Sequence, residues 1–217
     1  MVKHAGKTGR PRRGGRPSLD EAAQIRERIL ASATGLFFAA GYGAVSIEAV
    51  AKHVRMSKRT FYHRFRDKQE LFKAVVHRVI EHLKPPGPLP TLATGDPGKT
   101  LNGLARMILQ ASLKPEAVAL QRLILAEAAR FPELAAAVNE VGARQQAITM
   151  IADYLTRETG AGNLTVKNPA FAAEQFLHLI IAAPQRRAFG LGAPMGQREL
   201  DAWARDAVGL FLDGCRK

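Results

Sequence analysis

No stretch of this 217-residue chain alternates apolar and polar side chains with a period of two. Apolar residues recur instead every three or four positions, the spacing of one face of an α-helix. That periodicity leaves no place for a sheet. It breaks at residues 84–98, "KPPGPLPTLATGDPG", which hold five prolines and three glycines. Proline lacks an amide hydrogen and glycine resists ordering, so no regular element continues through such a stretch. The chain therefore reads as all-α, in two helical halves, and its 47% hydrophobic content is enough for a packed core.

The first half punctuates itself with caps. Ser18 and Glu21 form a capping box ahead of Ile25, Ile29, Ala33, Leu36, Phe37 and Ala40, the stripe of an amphipathic helix that Gly41 ends. Ser46 caps a short helix, "IEAVAKHV", with Ile47, Val50, Ala51 and Val54 inward. After the link "RMS", Ser57 caps a second short helix in which Phe61 and Phe65 lie one turn apart. Asp67 and Glu70 make another capping box and open a fourth helix to about Leu83, with Leu71, Phe72, Val75, Val76, Val79 and Ile80 apolar. Beyond the break the spacing predicts helices over 97–113, 115–130, 132–159, 169–190 and 197–213. Pro97, Pro115, Pro132 and Pro169 each suit a helix first turn. The domains expected are an arm (1–17), a three-helix head (18–66), a connecting helix (67–83) and a second domain (84–217).

Charge narrows the function. Residues 1–83 carry 17 Lys and Arg against 7 Asp and Glu, so +10 of the net +13 lies in the first third. A basic excess confined to one region suggests a polyanionic partner, nucleic acid before membrane. Residues 1–17 hold six Lys and Arg and no acid, the composition of a disordered arm. The longest apolar runs, such as "LIIAA", are too short to span a bilayer. No apolar segment follows the basic N-terminus, so no secretory signal is expected. Cys215 is the single cysteine, which excludes an intrachain disulfide and fits a reducing, cytoplasmic setting.

A short helix, a tight turn and a second short helix at 46–65 outline a helix-turn-helix. The second helix of such a unit enters the DNA major groove while the first holds it in place. It needs an apolar back and a polar front. Phe61 and Phe65 supply the back; Lys58, Arg59, Thr60, Tyr62, His63 and Arg64 are then free for base edges and phosphates.

In residues 20–72 the chain resembles the TetR family of bacterial transcriptional regulators. The resemblance is carried by "RERILASATGLFFAAGY", "SIEAVAKHV" and "MSKRTFYHRFRDKQELF". It implies phosphate and base contacts from Thr60 and Tyr62, with His63 and Arg64 at further contact positions. It implies that Lys68 reaches a phosphate from the start of the fourth helix, and that Ser46 offers its hydroxyl and a helix N-terminus to the DNA backbone. Arg55 departs from the pattern, standing where the family usually has Gly. A left-handed residue there costs a non-glycine roughly 1 kcal/mol. Either the turn differs, or Arg55 recovers that cost through a phosphate. In the arm, "GRPRRGGRP" places Arg12, Arg13 and Arg16 in an extended, Pro-stiffened context able to enter a narrow minor groove.

The second half resembles the family's effector-binding and dimerisation region, notably in "LILAEAARFPELAAAVNEVG". The resemblance implies a homodimer paired through the last two helices, with Phe171, Leu179, Trp203, Leu210 and Phe211 at the interface and Phe176 in the interface or core. It also implies a repressor released from a palindromic operator by a small hydrophobic effector. Candidate pocket residues are Met107, Leu123, Glu127, Met150, Phe176 and His178. Each has a plainer reading: core for the methionines, an ion pair with Arg130 for Glu127, a hydrogen-bonded core or interface histidine for His178. The connecting helix is expected to be the sole link from the head to this domain.

No metal site or cofactor is expected. His77 and His82 are five apart, off a common helical face, and "GDPGKT" at 95–100 lacks the spacing of a phosphate loop. No nucleophile or catalytic constellation appears, so no enzyme is expected. The rival to a sequence-specific regulator is a non-specific architectural DNA-binding protein.

Overall fold

The computed structural model describes residues 19–84 and 95–215. Ser18 and the candidate minor-groove residues Arg12, Arg13 and Arg16 lie outside the described residues. Ten helices follow one another, with no strand among the described residues. They are α1 (Leu19–Ala40), α2 (Ile47–His53), α3 (Lys58–Tyr62), α4 (Lys68–Leu83), α5 (Pro97–Ser112), α6 (Pro115–Glu127), α7 (Pro132–Val141), α8 (Ala143–Gly160), α9 (Pro169–Ala188) and α10 (Gln197–Asp213).

The caps expected from sequence are seen at α2, α3 and α4. Ser46 accepts from the Ala49 amide at 3.1 Å, Ser57 from Thr60 at 3.2 Å and Asp67 from Glu70 at 2.8 Å. Each satisfies an orphan amide of a first helical turn. The Glu70 carboxylate reaches back to the Arg66 amide at 2.7 Å.

Two apolar cores hold the molecule. The first gathers α1–α4 with Leu120 and Leu123 of α6 and Leu134 and Ala137 of α7. Its aromatic centre is Phe37, Tyr42 and Phe72, with Phe131 edge-on to Tyr42 at 5.1 Å. The second gathers α5, α8, α9 and α10 around Tyr154, Phe176, Ile151 and Leu155. The boundary between the cores is not the Pro/Gly break, because α6 and α7 belong to the first.

This corrects two expectations. The helix predicted over 132–159 is two helices, divided at Gly142, whose φ of 67° is left-handed. Leu134 and Ala137 of α7 pack into the first core, whereas Ile148 and Ile151 of α8 pack into the second. One straight helix cannot serve both, and glycine turns the chain between them at little steric cost. Second, α4 is not the sole link to the head, since α6 also packs on α1. The other predicted helices differ at their ends by up to three residues, and Ala40 is exposed rather than part of the buried stripe.

Helix α9 carries Pro184 in its interior, buried. Proline cannot donate to the carbonyl four residues back, and that carbonyl belongs to Ile180. The indole N–H of Trp203, on α10, donates to it at 2.9 Å. A sequence irregularity in one helix is thus answered by a side chain of its neighbour.

Candidate nucleic-acid interface

The turn between α2 and α3 settles the conformation of Arg55. Its φ is 54°, the one positive value for a non-glycine among the described residues. The Arg55 amide donates to Lys52 O at 3.1 Å, and the Met56 amide to Ala51 O at 2.9 Å. This is the paired bonding of a Schellman helix end, with Arg55 in the position glycine usually fills. The turn therefore keeps the left-handed geometry, and the guanidinium projects from an exposed residue.

Helix α3 divides into the two faces that its sequence demands. Phe61 is 0% exposed and Phe65 1%, with ring centroids 5.7 Å apart. The Arg26 guanidinium lies 5.1 Å from the Phe65 ring centroid. Lys58, Arg59, Thr60 and His63 are exposed, Tyr62 is 45% exposed, and Arg64 is half-buried. The Ser57 and Thr60 hydroxyls lie 2.8 Å apart, which orders the N-terminal corner of the helix. Ser46 is exposed at the start of α2.

Glu48 was missed by sequence reasoning. It stands on α2, and its Oε1 accepts from the Tyr62 hydroxyl at 3.3 Å and lies 3.6 Å from Lys58 Nζ. Its own backbone amide, opposed next by desolvation and then joined by Lys58 and Tyr62, holds its carboxyl below the usual range. Desolvation, then the charge of Glu48, pushes the Tyr62 hydroxyl up. The acid thus orients two side chains of the polar front.

Lys68 opens α4, half-buried. Its ammonium lies 3.3 Å from Gly43 O and 4.3 Å from the centroid of the Tyr42 ring. Burial pulls its pKa down, opposed by the charges of Glu127 and Glu133. The lysine read as a phosphate ligand therefore rests on the α1–α2 turn.

Glu127, at the end of α6, grips the same turn. Oε1 accepts from the Tyr42 amide and Oε2 from the Gly43 amide, each at 2.8 Å. Neither sequence reading of this residue, a cationic ligand's partner or an ion pair with Arg130, anticipated this backbone clamp; Glu127 also borders a cavity of about 500 Å³ with Ala40, Gly43, Ala44, Ala126 and Arg130. The Arg130 guanidinium instead lies over the Phe131 ring, 5.2 Å from its centroid.

The remaining pocket candidates are not brought together. Leu123 packs in the first core; Met107, Met150 and Phe176 belong to the second. His178 is exposed, and its Nε2 takes a hydrogen bond from Arg144 Nη2 at 3.0 Å. A cleft of about 280 Å³ between α5 and α10 is bordered by Arg106, Leu109, Leu113, Lys114, Leu200 and Asp201, and by none of the candidates. Of the interface candidates, Phe171 is 60% and Leu210 66% exposed, while Leu179, Trp203 and Phe211 are half-buried. Phe211 packs edge-on against Phe176 at 5.0 Å. Leu191, 62% exposed, was not anticipated.

Known proteins share this arrangement. Residues 29–75 match the model of the bacterial regulatory proteins of the tetR family, and residues 99–214 that of the AefR-like transcriptional repressor C-terminal domain. Among solved structures, a TetR-family transcriptional regulator from Mesorhizobium loti superposes with a TM-score of 0.72 at 27% identity, over 90% of this chain and 98% of that one. The Flavonoid-responsive Regulator FrrA gives a TM-score of 0.75 at 29% identity, over 89% of this chain and 98% of its own. A TetR regulator from Agrobacterium tumefaciens shares the fold, with a TM-score of 0.74 at 21% identity over 89% of this chain and 95% of its own. The chain belongs to the TetR family: it is a DNA-binding transcriptional regulator with a helix-turn-helix, and not an enzyme. Among the described residues no helix is long and apolar enough to cross a membrane.

Proposed function

We propose that this chain acts in the cytoplasm as a homodimeric repressor that reads a two-fold operator and releases it when a small hydrophobic ligand binds. The exposed polar front of α3, backed by buried Phe61 and Phe65, carries this reading. Pure phosphate binding needs only Lys and Arg. A front that mixes Thr60, Tyr62 and His63 with Lys58, Arg59 and Arg64 suits base edges as well. Arg55 projects beside it and recovers the strain of its left-handed backbone through a phosphate; Ser46 and, once drawn from its turn, Lys68 add others. The first 17 residues supply salt-dependent affinity through their six basic groups.

The dimer forms through α9 and α10, where Phe171 and Leu210 stand exposed. Two recognition helices on one face of DNA require centres ~34–36 Å apart, about one helical turn. The effector belongs to the second half. FrrA responds to flavonoids by its name, which makes flavonoids the first compounds to try.

Footprinting on the DNA upstream of the gene tests the reading against its architectural rival. A protected palindrome is expected. Uniform coating, or a monomer in sedimentation that still grips one half-site tightly, overturns it.

A further inference from the structure

The clamp at Glu127 joins residues 84 and 85 positions apart in sequence. Its seat is shaped for a carboxylate. A Cβ at Gly41 would stand 2.4 Å from Oε1, and Gly41 is itself left-handed at φ 85°. A Cβ at Gly43 would press on the Phe131 ring at 3.2 Å. Between the two glycines the Tyr42 side chain runs into the first core, its ring edge-on to Phe131 and its hydroxyl 3.3 Å from Glu133 Oε1. The end of α6 and the start of α7 thus hold this turn by two backbone bonds, one ring and one hydroxyl. The turn leads within three residues to Ser46, the cap of α2, and its Gly43 carbonyl holds Lys68, the first residue of α4.

We infer that Glu127 is a positioning residue for DNA binding: its carboxylate fixes the α1–α2 turn from α6, and through the turn sets Ser46 and Lys68 for the phosphate backbone. The inference rests on the DNA-binding reading of Ser46 and Lys68. It gives α6 a route to the head that does not pass through α4. A ligand that shifts α6 withdraws both hydrogen bonds together, and the N-terminus of α2 loses its reference point.

Positioning and contact separate by salt dependence. Loss of a phosphate contact lowers both affinity and the log–log salt slope, by about 0.9 per contact. Loss of positioning lowers affinity but leaves the slope, because the same contacts form once the turn is ordered on DNA. The isosteric Glu127→Gln keeps the shape and opposes an NH₂ to one of the two amides. Two measurements on full-length protein decide the matter. The first, without DNA, is amide hydrogen exchange. We expect exchange at Tyr42 and Gly43 to accelerate at least tenfold while amides of α8–α10 stay unchanged, which also verifies that the variant is folded. The second is affinity for a labelled duplex of the upstream region across a salt series, with Lys68→Ala as the contact control. We expect Glu127→Gln to bind about tenfold more weakly with the wild-type slope, and Lys68→Ala to show a shallower slope.

Unchanged exchange at Tyr42 and Gly43 overturns the inference. So does faster exchange with wild-type affinity, or a slope that falls as it does in Lys68→Ala. A wild-type protein that does not prefer the upstream duplex to a scrambled one is the separate failure of the DNA-binding reading. The claim on the turn then stands or falls on exchange, and the claim on phosphate positioning falls.

Discussion

The two cores differ in how completely their polar groups are met. In the first, Ser46, Ser57 and Asp67 cap the starts of α2, α3 and α4, and Glu127 closes the α1–α2 turn through two further amides. In the second, Glu158 is wholly buried with one oxygen bonded to Asn163 at 2.7 Å and the other without a protein partner. The side-chain oxygens of Asn102 and Thr159 are likewise buried without one. An unmet buried polar atom costs about 1–3 kcal/mol. A reading head must hold its elements to fractions of an ångström to match base edges, and among its described residues Ser32 Oγ, on α1, is the one buried side-chain oxygen left without a partner. The second core holds more such atoms than the first.

The comparison breaks most readily at Phe61. Phe61→Ala empties the back of α3 in the tightly built core and should destabilise by about 3–5 kcal/mol in urea unfolding. A loss below about 1 kcal/mol would show that the head tolerates voids and is not the more strictly packed region. In the second core, Trp203→Phe leaves the Ile180 carbonyl without its donor, for an expected loss of about 1–3 kcal/mol. In a Pro184→Ala background the regained amide hydrogen serves that carbonyl, so the same tryptophan change should cost markedly less. Additive losses in the double-mutant cycle would refute the pairing.

Arg55→Gly relieves the left-handed backbone and should stabilise the protein by about 1 kcal/mol. If Arg55 meets a phosphate, the variant also loses about 0.9 from the salt slope on DNA. Higher stability with an unchanged slope would leave the strain without that recompense. The smallest expected effect is that of Asp67→Ala, about 1 kcal/mol or less at neutral pH from a lost cap. The Glu70 amide, before other causes, holds the Asp67 carboxyl below its usual range. A depressed folded pKa gives stability that is present above the unfolded value and lost as pH falls through the folded one. The difference between wild type and Asp67→Ala should therefore shrink in acid; a constant difference from pH 7 to pH 2 would deny the cap its charge.

The head was legible because its signals are local. A serine or aspartate before an apolar helix, or two phenylalanines one turn apart, each fix an element from a few adjacent letters. The division at Gly142 had a local signal too, a glycine inside an apolar periodicity, but its reading depended on knowing that α7 and α8 face different cores. Glu127 had none. Its partners are backbone amides, which every residue possesses, and no pattern links position 127 to positions 42 and 43. The pocket candidates scattered for a related reason: apolar residues declare that they are buried, not in which core.

The chain passes between the cores three times: after α4, between α5 and α6, and at Gly142. Its helices are therefore laced together, and no single cut yields a self-sufficient head. A fragment ending at residue 84 would lack Leu120, Leu123, Leu134 and Ala137, and would strip the Phe131 ring from Tyr42. Grafting this head onto another effector region, the ordinary route to a chimeric sensor, accordingly requires that α6 and α7 travel with it.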